Sequence, residues 1–315
     1  MRPEFRFDGI DLVINRNSLR YLLDFSLGRS VKSSFRINMF LIKDTLIVER
    51  CIRKAAEMIR IPDNRGFGHN FEHTFTAPSA GLGDSSSHHR VLRYKLGQLN
   101  CVVRFEVDAC YHGGSEDLNK MSSSEESTAM RDDTIQADTN MAMTATALDF
   151  GLLSLQDDKG SRHSNTSRNG LASSLDSVTV IPRGAGTAQE LTAELKTRSK
   201  HLSLSQNLPQ LWFGRTPFLI SGSHTKGSFH KVDVLNVDSR FEDWEKGETI
   251  QKGLQKMVSL LSELREITRR TKGGACVAVY EQSVKPHVLR FFELKQKKVP
   301  LPEHLIKEFW SDSTG

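Results

Sequence analysis

Between Tyr111 and Trp212 the chain holds a single aromatic residue, Phe150. A stretch so poor in large apolar side chains cannot build a core of ordinary density. Residues 113–178 are also rich in Ser, Thr, Asn and Asp and show no apolar period, so they read as a disordered, low-complexity insertion. The folded part must come from the flanking stretches, about 8–111 and 178–310. Closing a long loop costs entropy only logarithmically in its length, so the two stretches can belong to one domain spanning residues 1–315.

Local patterning divides these stretches into strands and helices. Asp11 to Phe25 (DLVINRNSLRYLLDF) opens as a short strand and passes into helical spacing at Leu19, Leu22 and Leu23. Phe35 to Phe40 and Thr45 to Glu49 read as strands around a turn at Lys43 and Asp44. Arg93 to Tyr111 reads as a hairpin, whose second half alternates Val103, Phe105 and Val107 with Arg104, Glu106 and Asp108. Beyond the insertion, Glu190 to Thr197, Trp212 to Ser221 and Lys231 to Val237 are strand candidates. Ile250, Leu254, Met257, Leu261 and Leu264 predict a helix over 250–271, stopped by Gly273 and Gly274. Ala275 to Tyr280 and Val288 to Leu294 complete the set. The expected class is mixed α/β, with a twisted central mixed sheet flanked by helices.

Composition narrows the partners. The net charge of +5 favours anionic ligands, nucleic acid foremost. Cys51, Cys101, Cys110 and Cys276 form no Cys-x-x-Cys pair, which argues against a disulfide framework or a cysteine zinc site. No apolar run approaches a membrane span, and Met1 leads directly into charged sequence without a signal peptide. The expected location is intracellular, nuclear or cytoplasmic, with no membrane partner.

Chemistry concentrates in two pairs. Glu106 and Asp108 are two apart on one strand pattern and leave the same face; so do Glu194 and Lys196 in Glu-Leu-Lys-Thr. Brought together, three carboxylates and a lysine offer hard oxygen ligands for Mg²⁺ or Mn²⁺ beside a cation for a phosphate. This is the pattern of PD-(D/E)XK nucleases. Each pair alone is also what a solvated strand face carries.

The order of the remaining motifs adds specificity. Asp-Leu-Val-Ile-Asn-Arg surrounds Arg16, Gly-Phe-Gly-His-Asn-Phe-Glu ends at Glu72, Phe-Glu-Val-Asp-Ala holds Glu106 and Asp108, and PQLWFGRTPFLISG follows Glu-Leu-Lys-Thr. This series resembles the DXO-type mRNA-decapping and 5′-end quality-control nucleases. The resemblance implies metal binding by Glu72, Asp108, Glu194 and the Leu195 carbonyl, with Glu106 and Lys196 as catalytic residues, Glu106 holding water. It further implies that Lys196 and Gln210 contact the scissile phosphate and that Arg16 binds the 5′ end. The implied cofactor is Mg²⁺ or Mn²⁺, the implied substrate an incompletely capped or 5′-triphosphate RNA end, and 5′–3′ exonuclease trimming belongs to the same repertoire. A 5′–3′ exoribonuclease is a candidate partner. Asn17 departs from the glycine usual in that family.

Two other readings compete. The fold could retain an RNA-end groove, or a surface for an exonuclease, without turnover. His69, Glu72 and His73 spell the His-x-x-Glu-His of inverted zinc metalloproteases. That motif needs a long helix and a distant third ligand, whereas Gly66, Gly68 and Pro78 bracket it closely.

Overall fold

The computed structural model describes residues 5–29, 31, 33–51, 67–85, 87–113, 181, 183–184, 186–200, 202–294 and 299–310. The expected insertion at 113–178 lies outside the described residues save for Gly113. Eleven strands and six helices are described. The strands divide between two sheets. The first stretch of chain supplies β1 (Leu12–Asn15), β2 (Phe35–Ile42), β3 (Thr45–Arg50), β4 (His89–Leu96), β5 (Leu99–Glu106) and β6 (Ala109–Cys110). The second supplies β7 (Thr192–Arg198), β8 (Phe218–Thr225), β9 (Ser228–Asn236), β10 (Ala275–Tyr280) and β11 (Leu289–Glu293). A seven-stranded sheet runs β11-β10-β2-β3-β1-β5-β4, and a four-stranded sheet runs β6-β7-β8-β9. β1 is parallel to both neighbours and β7 to β8; the other pairings are antiparallel. Both sheets therefore contain chain from both sides of the insertion.

The expected hairpin is β4 and β5 turning at Gly97, but β5 ends at Glu106 and the chain crosses to the second sheet. Glu106 thus closes one sheet, and Asp108 stands just before β6 of the other. The alternation that suggested one continuous strand persists through the crossing, because Phe105 and Val107 both turn inward. The other correction concerns Trp212 to Ser221. Trp212 and Phe213 lie in helix α3 (Leu204–Gly214), and β8 begins only at Phe218. A short apolar run suits a buried helix as well as a buried strand, and here Leu208, Leu211, Trp212 and Phe213 are all buried. Arg215 ends the helix in the left-handed conformation (φ 48°), its guanidinium 4.4 Å above Trp212 and 5.0 Å from the Tyr94 ring.

Helix α1 (Arg16–Ser26) follows β1 without a loop. Asn15 caps it: the backbone is extended (φ −91°, ψ 151°) and the side-chain oxygen accepts from the Ser18 N–H at 2.9 Å. Leu19, Leu22 and Leu23 are fully buried on its inner face. The long helix α5 (Glu248–Arg270) covers the same side of the large sheet, burying the expected stripe from Ile250 to Leu264. It approaches α1 closely at Gly253, where an added Cβ would stand 2.7 Å from Leu27 Cγ. Helices α4 (Asp238–Lys246) and α6 (Glu303–Phe309) complete the described set with α2 (Phe67–Phe75). A separate apolar cluster of Phe71, Ala109, Tyr111, Ala193, Leu195, Phe218 and Ile220 joins α2 to the four-stranded sheet. No described helix is long and apolar enough to cross a membrane.

Candidate functional site

Where the ends of β1 and β5 meet β7, the buried carboxylate of Glu194 is the centre of a polar cluster. Glu194 is 3% exposed. Its Oε2 accepts from Arg16 Nη2 at 3.1 Å, and its Oε1 accepts from both Lys196 Nζ and Gln210 Nε2. Burial alone would raise its pKa, but Lys196 and Arg16 outweigh burial and hold it below the usual carboxylate range. Lys196 is governed reciprocally: burial opposes its charge, while Glu194 and Asp108 hold the ammonium above its ordinary value.

Asp108 is tied to the same strand, its Oδ2 accepting from the Leu195 N–H at 2.9 Å. Burial, then the charge of Glu194, pushes its pKa well above the usual value, with Glu72 adding to the rise. Glu72, on α2, is raised by burial and by Glu194 and Glu106, with Lys196 opposing. Asp108, Glu194, Lys196 and Glu106 therefore each stand within electrostatic reach of Glu72 or of one another. This is an excess of negative charge that a divalent cation would relieve, and the donors are hard oxygens suited to one. Among the described residues, however, no three His, Cys, Asp or Glu side chains form a ready-made cation site. Both oxygens of Glu194 are engaged by Arg16, Lys196 and Gln210.

Arg16 is placed by the first turn of α1 and is 6% exposed. Its guanidinium carbon lies 5.1 Å from the Phe105 ring centroid, and Nε and Nη1 have no hydrogen-bond partner among the described residues. A buried donor without a partner is costly, so two on one side chain point to an anionic ligand that supplies the missing acceptors. Gly214 makes the space: a Cβ there would stand 3.0 Å from Arg16 Nη1.

One residue of this cluster escaped the sequence reading. Arg20 donates from Nη1 to Gln210 Oε1 at 2.7 Å, so a second guanidinium backs the first. Burial lowers its pKa, Glu194 opposes that, and Arg16 adds to the lowering. Its spacing of one helical turn from Arg16 was the available signal. Gln210 itself comes from α3, not from the lead-in to a strand. His69 and His73 lie on a true helix, α2, but both are exposed, and no third ligand joins them among the described residues.

The seat of Glu72 depends on a close contact. Phe71, its neighbour on α2, packs onto the backbone of β8, where a Cβ on Gly222 would stand 2.6 Å from Phe71 Cδ2. Gly222→Ala is expected to cost about 1–3 kcal/mol by overpacking. It should also displace Glu72, so the Tm should fall together with any activity that needs Glu72. A variant with wild-type melting would show that Phe71 does not hold α2 in place.

Comparison places this architecture among known proteins. Residues 1–310 match a family described as a domain of unknown function, DUF8563. The sequence comparison with curated proteins gives no match. Among solved structures, S. pombe Rai1 aligns with a TM-score of 0.51 at 10% identity, covering 90% of this chain and 72% of that one. Scheffersomyces stipitis Rai1 in complex with (3′-NADP)⁺ and calcium ion aligns at 0.50 and 13% identity, covering 90% and 67%. A second structure of S. stipitis Rai1 aligns at 0.50 and 12% identity, covering 90% and 68%. At such identities the likeness is one of fold. The chain is a member of the DUF8563 family and is built on the fold seen in the Rai1 structures.

Proposed function

We propose that this chain is a divalent-cation-dependent hydrolase of RNA 5′ ends, acting on triphosphate or incompletely capped termini in the manner of the DXO-type nucleases. The observation that carries the reading is the buried Arg16, with two unpartnered N–H donors beside a crowd of carboxylates. An arginine fork of that kind matches a terminal phosphate. The S. stipitis Rai1 that shares the fold was crystallised with a dinucleotide and a calcium ion, which supports a phosphate-bearing ligand and a hard cation.

In this reading Glu72, Asp108, Glu194 and the Leu195 carbonyl would hold Mg²⁺ or Mn²⁺, which when bound would supply a Lewis acid for water and for phosphate charge. Arg16 grips the 5′-terminal phosphate through Nε and Nη1. Lys196 and Gln210 contact the scissile phosphate, and Arg20 keeps the Gln210 amide oriented so that its nitrogen faces inward. Glu106 orients the attacking water.

Arg16→Lys keeps a charge for Glu194 but removes the fork. It is expected to weaken binding of 5′-triphosphate RNA by about 10- to 100-fold, the worth of roughly 1.5–3 kcal/mol of charge-assisted hydrogen bonds. Cleavage at internal phosphates should change much less. Assays on end-labelled triphosphate, capped and monophosphate RNAs with Mg²⁺ or Mn²⁺ test both statements.

A second reading, non-catalytic capture of RNA ends, is favoured by one observation. Glu194, required as a cation ligand, already spends both oxygens on Arg16, Lys196 and Gln210. RNA binding by the wild-type chain, with no turnover of any RNA end in either cation, would select it.

A further inference from the structure

At the edge of the large sheet β4 and β5 carry three exposed cations that the proposed chemistry does not use, Arg93, Lys95 and Arg104. Along β4, His89, Val91, Arg93 and Lys95 are exposed at every second position, and Arg104 is exposed on β5. The register pairs His89 with Glu106, Val91 with Arg104, Arg93 with Val102 and Lys95 with Asn100. Directly opposed residues of an antiparallel pair share a face, so these side chains form one stripe. One end of the stripe abuts Glu106 of the candidate site, and the other runs to the β4–β5 turn. Arg93, Lys95 and Arg104 have no hydrogen bond or ion pair with any described residue. Val91, in their midst, is 61% exposed.

Surface cations are usually neutralised by neighbouring carboxylates or scattered; Arg93, Lys95 and Arg104, grouped on two paired strands, hold their charges at fixed spacing. From His89 to Lys95 the strand extends about 20 Å, long enough for several nucleotides. Val91 offers an exposed apolar contact between the cations, which the face of a base can cover and a run of acidic side chains cannot.

We propose that this stripe is the path of the single-stranded RNA 3′ of the site, with Arg93, Lys95 and Arg104 contacting successive backbone phosphates. This rests on the reading of the site as one for RNA 5′ ends. It adds a prediction that reading lacks: affinity depends on RNA length, through residues remote from the chemistry.

The test compares the full chain with an Arg93→Ala/Lys95→Ala/Arg104→Ala variant, using fluorescently labelled 5′-monophosphate RNAs of three and twelve nucleotides in Ca²⁺. All three positions are exposed, and a thermal melt verifies the fold. The variant should bind the twelve-mer roughly 10-fold or more weakly. Its log–log salt dependence should be shallower by about 2, from three lost contacts on a single strand. Binding of the three-mer should be unchanged. Equal affinity for the twelve-mer, or an equal loss on both lengths, would overturn the stripe while leaving the 5′-end reading standing. So would a polyglutamate peptide that displaces the twelve-mer as well as unlabelled RNA does. Length-dependent binding through the stripe by a wild-type chain that hydrolyses no RNA would support the path and remove the catalytic reading. A wild-type chain that binds neither RNA would overturn both.

Discussion

Asp108→Asn is expected to abolish turnover while making the cation-free protein more stable. The Asp108 carboxyl is raised well above its usual value by burial and by the charge of Glu194. A group whose pKa is higher folded than unfolded contributes stability that is complete below the unfolded value, here 3.8. That contribution is lost as the pH rises through the folded value. At neutral pH Asp108 therefore costs stability in the absence of a cation, because burial and Glu194 disfavour its charged form. Asparagine removes the charge and keeps an oxygen to accept from the Leu195 N–H. The gain should be about 0.5–2 kcal/mol, or a Tm higher by roughly 2–6 °C. The gap should close in acid, below 3.8, and open as the pH rises above that value. Loss of one cation ligand should slow hydrolysis by on the order of 10²–10⁴-fold, equivalent to several kcal/mol of charge stabilisation. Calorimetry across pH and a single-turnover assay with Mn²⁺ check the two halves independently. A lower Tm would show that the carboxylate is already paired, and full activity would sink the hydrolase reading.

Glu194→Ala is expected to do the reverse to stability. Glu194 and Arg16 are a buried pair 3.1 Å apart, and removing one partner leaves the other charged and unsatisfied, at a cost of about 3–5 kcal/mol. Because Glu194 is held below its ordinary 4.5, its stabilisation is fully present above that pH and is lost as the pH falls through the lowered value. The deficit of the variant should thus be largest at neutral pH, roughly 10 °C or more in Tm, and shrink in acid. Arg16→Met/Glu194→Met, which replaces both charges with apolar volume, should recover most of the loss without recovering activity. If the double variant melts as low as Glu194→Ala, the pair is not what stabilises this corner of the fold.

These expectations turn on contacts with unequal visibility in the sequence. The periodic stripe of α5, the alternation of β5 and the turn at Lys43 follow from local preferences, which act over a few residues and leave a pattern in the order of side chains. The candidate carboxylates were picked out for a related reason, a spacing of two along an extended pattern; it holds for Glu194 and Lys196 on β7, whereas Glu106 ends β5 and Asp108 lies in the crossing to β6. Helix α3 was misread because a buried helix and a buried strand make the same short apolar run, and burial on all sides erases the period that would separate them.

By itself the sequence determined most of the extended and helical segments, though not α2 or α3, where the candidate carboxylates lie along the chain, and that residues 113–178 are poor in aromatic side chains and show no apolar period. Only the tertiary structure decided that the strands divide between two sheets at Val107 and Asp108, since the alternation runs through the crossing unchanged. Only it decided that Arg16 meets Glu194, a contact across 178 positions, and that Arg20 secures Gln210 across 190. Such pairings have no local signature. They are set by how the packed layers bury their shared core, and the charges then meet wherever that packing leaves them.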